Sequence, residues 1–144
     1  MRFTALMIAS LAVAACAVET TDPITPRLLR SGSLRYEATT MDGQSLLLGQ
    51  LTLEIHADST ILGTWTIQWA PGADTTVEVG DQIGSGMLSG RQSENQASID
   101  LNPGFADNNV VLVAPSVNQE LAGTWYWSTI AGSRTQGLFT AVPD

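Results

Sequence analysis

Lysine is absent from this sequence, and cysteine and histidine occur once each. All six basic side chains are therefore arginine, set against fourteen acids for a formal net charge of −8 at pH 7. Such a chain lacks the positive surface that holds nucleic-acid phosphates. One cysteine excludes an internal disulfide framework and any multi-cysteine metal site. One imidazole, His56, supplies no histidine set for zinc. Charged residues make up only 14% of the chain, against a globular norm of about 25%, while 44% are hydrophobic. That balance excludes a disordered acidic polymer and provides apolar surface for one modest core.

Long apolar runs are scarce as well. The one candidate lies at the start, where Arg2 gives a positive region and Phe3 to Ala15 run apolar into small residues. Those thirteen residues span roughly 20 Å as a helix at ~1.5 Å each, short of a bilayer core of about 30 Å. Residues 1–15 are expected to be a cleaved secretory signal. Removing them leaves five arginines and all fourteen acids. Ala17 to Pro26 (AVETTDPITP) has no periodic apolar pattern, so residues 16–30 are expected to form an extended tether ahead of a domain over 31–144. Arg27, Arg30 and Arg35 cluster where tether meets domain; they either meet anionic headgroups or simply solvate a strand end.

Val13-Ala14-Ala15-Cys16 resembles the bacterial lipobox. The resemblance implies that Cys16 is lipidated at sulfur, becomes the first mature residue and is acylated at its amine, giving the several chains that stable anchoring needs. It places the protein in the cell envelope, with the membrane as partner through Cys16. Ala17 stands where that family carries Asp for inner-membrane retention, which implies the outer membrane where two membranes exist.

From Gly32 onward, apolar residues alternate with period two between turn signals, and no window keeps helical spacing for three turns. The pattern predicts strands near 32–40, 45–56, 60–70, 82–92, 96–102, 109–114, 119–129 and 134–142. Residues 75–81, with Val77 and Val79, are the place for a ninth. Asp42-Gly43, Pro71-Gly72, Asn102-Pro103-Gly104 and Ala131-Gly132-Ser133 are turn sequences that favour consecutive antiparallel pairing. An open meander would leave two edges unpaired, so the expected fold is all-β, an eight-stranded up-and-down antiparallel barrel. A two-sheet sandwich is the alternative.

Facing follows from the same period. Ile61, Gly63, Trp65, Ile67 and Trp69 share one side of the third strand, and Leu121, Gly123, Trp125 and Trp127 share one side of the seventh. All four tryptophans are thus expected inside, on opposite walls, either as core or as a cage for a flat apolar ligand. Gly63-Thr64-Trp65 and Gly123-Thr124-Trp125 form a short repeat, each glycine expected to let the indole two residues on lie flat across the strand or across a bent barrel wall. The Gly123-Thr124-Trp125-Tyr126 strand, with Ser128-Thr129 and Phe139-Thr140, resembles avidin-like and other calycin-type up-and-down barrels. The resemblance implies architecture only: avidin-type chains carry a biotin-binding Asn two residues after the Trp, where this sequence has Ile67 and Trp127.

Turns after odd-numbered strands gather at the end away from the tether. Phe105, in the longest of them, is expected either to cover the barrel mouth or to meet a partner. Asp100, Asn102, Asp107, Asn108 and Asn109 are hard-cation ligand types, but their spacing fits no calcium loop and suits ordinary turns. Glu54 and His56 share an outward strand face, the one place where a carboxylate adjoins an imidazole in sequence. Gly84-Ser85-Gly86 lacks the strand-to-helix setting of a nucleophile elbow. The sequence therefore predicts no catalytic residues, metal or cofactor. It predicts an envelope lipoprotein that binds a small apolar ligand within the barrel or, with a filled core, engages a protein through its distal loops.

Overall fold

The computed structural model describes residues 29–115 and 119–144. Eight strands form: β1 (Gly32–Thr39), β2 (Ser45–Ile55), β3 (Thr60–Trp69), β4 (Gly84–Gln92), β5 (Gln96–Asp100), β6 (Asn109–Pro115), β7 (Leu121–Thr129) and β8 (Gly132–Pro143). Each pairs antiparallel with the next, and β8 closes on β1 from Leu34↔Pro143 to Thr39↔Leu138, giving a closed up-and-down barrel rather than a two-sheet sandwich. Closure removes the outer edges that an open sheet of the same strands would expose. The expected signal segment, Cys16 and most of the expected tether, including Arg27, lie outside the described residues. Leu29 already packs into the core, whereas Arg30 and Arg35 are exposed.

Alternation in sequence becomes alternation in burial. Leu34, Tyr36 and Ala38 of β1, Ala97 and Ile99 of β5, Val110, Leu112 and Ala114 of β6, and Phe139 and Ala141 of β8 all point into one continuous apolar cluster. Leu46 departs from the period and is buried beside Leu47, because a bulge opposite Ala38/Thr39 inserts one extra residue in β2.

Glycines on inward positions let the wall bend. A Cβ on Gly63 would sit 1.9 Å from Thr52 O, and one on Gly123 would sit 2.0 Å from Val113 O and 2.7 Å from Ala114 Cα. Both positions therefore carry a close approach of neighbouring backbones, the usual use of glycine at a barrel bend. Of the two settings expected, the bent barrel wall is the one these glycines serve, and what approaches them is backbone of the neighbouring strand rather than an indole.

The indoles instead rest on glycines of the next strand. Trp65 lies opposite Gly86 of β4, where an added Cβ would stand 2.9 Å from the indole ring, and Trp125 lies opposite Gly137 of β8, where the closest ring atom would be 2.5 Å away. Each indole crosses its glycine and donates to a distal carbonyl one strand further: Trp65 Nε1 to Leu101 O at 2.6 Å, and Trp125 Nε1 to Thr39 O at 3.0 Å. The step from β3 over β4 to the end of β5 thus matches the step from β7 over β8 to β1. The Gly-Thr-Trp repeat marks a pseudo-twofold in side-chain packing.

Residues 75–81 form no ninth strand. The β3–β4 connection folds across the distal mouth and is latched to three walls. Val79 enters the core cluster; Gly80 lies beneath the Trp127 ring; Asp81 accepts from Asn102 Nδ2 through its carbonyl and from Asn108 Nδ2 through its carboxylate. Gly80 carries a left-handed φ of 68°, which glycine adopts at little cost. Gln82, fully buried, accepts from the Tyr36 hydroxyl at 3.2 Å and donates to Val79 O at 2.6 Å.

Tyr36 is itself fully buried and stacks on Phe139 with ring centroids 6.0 Å apart. Burial pushes its phenol well above the usual tyrosine range, because the phenolate would have to lose its water. The folded state therefore holds the proton more tightly than the unfolded one. Stability from this site is complete below the unfolded value of 10.0 and is lost as pH climbs beyond it. In an alkaline titration followed by tyrosinate absorbance, one of the two tyrosines is expected to ionise only as circular dichroism reports loss of the barrel. Ionisation of both tyrosines in the intact fold would contradict this.

Candidate functional site

A cleft of about 500 Å³ opens in the wall between upper β4 and the β5–β6 loop. Its volume falls within the usual range for ligand sites, about 300–1,000 Å³. The cause is a short ladder. β4 pairs with β5 only from Ser89↔Asp100 to Gln92↔Ala97, so Gly84 to Leu88 have no strand partner on that side. Loop residues Leu101 to Phe105 form the opposite wall, Leu62 and Met87 the outer rim, and Leu88 and the Trp65 indole the floor. Phe105 is 64% exposed and Met87 71%, an uncommon display for side chains of that size.

Of the four tryptophans, Trp65 alone lines this cleft, and it is 5% exposed. Trp125 is fully buried on Gly137, beneath the β8–β1 ladder. Trp127, half-buried near the distal rim, donates from Nε1 to Asn108 Oδ1. Trp69, also half-buried, packs against the core at the top of β3. The indoles thus face inward as the period requires, but their N–H groups serve three separate loop and strand ends. Phe105 joins Trp65 at the cleft, a pairing that sequence spacing did not suggest.

The Asp and Asn residues of the β5–β6 loop spend their side chains on the loop itself and on the connections beside it. Asp100 accepts from Asn102 N at 2.8 Å and from Asn109 Nδ2 at 2.6 Å; Asp107 accepts from Asn108 N at 2.8 Å and from Ile130 N at 2.7 Å. The bonds to Asn102 N and Asn108 N are the local ones that make Asx residues good turn formers. Asn102 lines the cleft, is buried, and keeps Oδ1 without a hydrogen-bond donor. At the opposite end, Glu54 and His56 stand 3.7 Å apart and both are exposed to solvent.

Comparison with known protein families, with curated proteins and with solved structures finds no match for this chain.

Proposed function

We propose that this is a lipid-anchored protein of the bacterial envelope whose barrel is a binding module, not a catalyst, and that it takes an apolar group into the cleft between β4 and the β5–β6 loop. The observation that carries the reading is the cleft itself: a floor of Trp65 and Leu88, an aliphatic wall residue in Leu101, and two large apolar side chains, Met87 and Phe105, held at its rim. Apolar surface kept in water at a concave site is the usual mark of a binding surface. The continuous cluster of buried side chains inside the barrel favours this wall site over a central cage. The solvent-open Glu54–His56 pair lacks the enclosure in which acid–base chemistry is tuned. The lipobox at Val13 to Cys16 supports the anchor and the envelope location.

Two measurements test the reading. Tryptophan fluorescence is expected to be quenched by the neutral probe N-phenylnaphthylamine, with affinity falling tenfold or more in Met87→Glu, an exposed position where the fold tolerates charge. Equal binding by wild type and Met87→Glu would remove the cleft from consideration. Cys16→Ser is expected to move the protein from the membrane fraction to the soluble one, and unchanged fractionation would refute the anchor.

A further inference from the structure

The apolar cleft is bordered by an unused backbone edge. Gln92 N–H donates to Ser59 O at 3.0 Å, on the β3 side, and His56 N–H donates to Thr60 O at 2.9 Å, on the β2 side. Antiparallel strands alternate the direction of their backbone groups. Gln92, Gly90, Leu88 and Gly86 therefore turn toward β3, and Ser89, Met87 and Ser85 turn toward β5. Ser89 meets Asp100, but beyond it the ladder stops, and Asn102 N, which would face Met87, turns instead to Asp100 Oδ1. The N–H and C=O of Ser85 and Met87 thus point into the cleft with no strand opposite them.

The pseudo-twofold mate shows how the same packing device looks when covered. Beside Trp125 the β8–β1 ladder reaches Thr39↔Leu138, next to the Gly137 seat, and the indole is fully buried. Beside Trp65 the ladder ends three residues short of the Gly86 seat, and the indole becomes the floor of a cleft. What differs is a short length of extended backbone laid along β4.

From these observations we infer that the apolar group is carried by an extended peptide segment of a partner protein, which adds as a strand to the Gly84–Leu88 edge; this rests on the binding reading above. Such strand addition draws affinity from main-chain hydrogen bonds and specificity from alternate side chains. The five-residue edge is about 16 Å long at ~3.3 Å per residue. Alternate side chains of the segment fall on the Trp65–Leu88 floor and against the Met87–Phe105 rim. Its flank is basic: no arginine lines the cleft, and the chain around it carries fourteen acids against six arginines. A lysine or arginine there meets no like charge and an acidic protein surface.

The test titrates the full chain with three synthetic peptide pools, each with apolar residues at alternate positions: one flanked by arginine, one flanked by glutamate, and one arginine-flanked but N-methylated at alternate backbone nitrogens. Amide exchange at Ser85 and Met87 and tryptophan fluorescence are the readouts. The arginine-flanked pool is expected to protect both amides. It is expected to bind at least tenfold more tightly than either of the others. Equal binding of the N-methylated pool overturns strand addition. Binding of N-phenylnaphthylamine but of no pool overturns the peptide inference while leaving the apolar site intact; failure of probe and pools alike removes both. Protection that rises with protein concentration in the absence of peptide assigns the edge to a second copy of the chain and overturns the inference.

Discussion

Trp125→Ala is expected to cost about 3–5 kcal/mol, the range for removing a fully buried large aromatic. The indole has no exposed surface, and it ties three strands by rising from β7, crossing β8 at Gly137 and donating to Thr39 O on β1. Alanine removes the packing and leaves a void under the ladder that closes the ring. It also orphans the acceptor that the indole satisfied. Against a total of about 5–15 kcal/mol for a domain of this kind, that is a large share. Urea denaturation should show a clear fall in midpoint. Trp65→Ala is expected to cost less, since its void opens onto the cleft and fills with water. An equal loss at both positions would mean that the β4–β5 seam is as tightly closed as the β8–β1 seam.

Gly123→Ala is the second large effect expected, and it adds a single methyl. The new carbon would lie 2.0 Å from Val113 O and 2.7 Å from Ala114 Cα, both backbone atoms on β6. No rotamer change relieves that overlap, so β6 and β7 must separate. Overpacking usually costs about 1–3 kcal/mol, and a clash with backbone belongs at the top of that range or above it. Gly104→Ala is the control, because nothing stands within 4 Å of its added Cβ. A thermal melt that moved equally for both would rule out close backbone approach as the reason for glycine at 123.

Strand positions were legible because the alternation of apolar residues is the burial pattern itself. Trp65 and Trp125 sit where their parity puts them, and the ends of all eight strands fall within a few residues of those read from turn chemistry. Parity gives the side of a strand and says nothing about depth along the barrel axis. Trp69 and Trp127 accordingly face inward yet are only half-buried near the distal rim. Nor does parity distinguish Val79 in a strand from Val79 in a loop pressed into the mouth, since both bury one side chain in two. The seats of the indoles were out of reach for another reason. Gly86 and Gly137 oppose Trp65 and Trp125 only through strand register, which local spacing does not record. The cleft depends on the same missing quantity, the point at which the β4–β5 ladder stops. The turn-forming role of Asp100, Asn102, Asp107 and Asn108 was readable from composition alone.

The pairing of β1 with β8 sets the kinetics of assembly. Each hairpin between neighbours is local and forms on a scale of about 1–10 μs, but the closing contact joins Leu34 to Pro143, nearly the full span of the described chain. Entropy opposes that last encounter more than any other, and all-β topologies dominated by such distant pairings fold in roughly milliseconds to seconds. Until the ring is joined, β1 and β8 each present a raw margin, and the nascent meander is most vulnerable to aggregation in that interval.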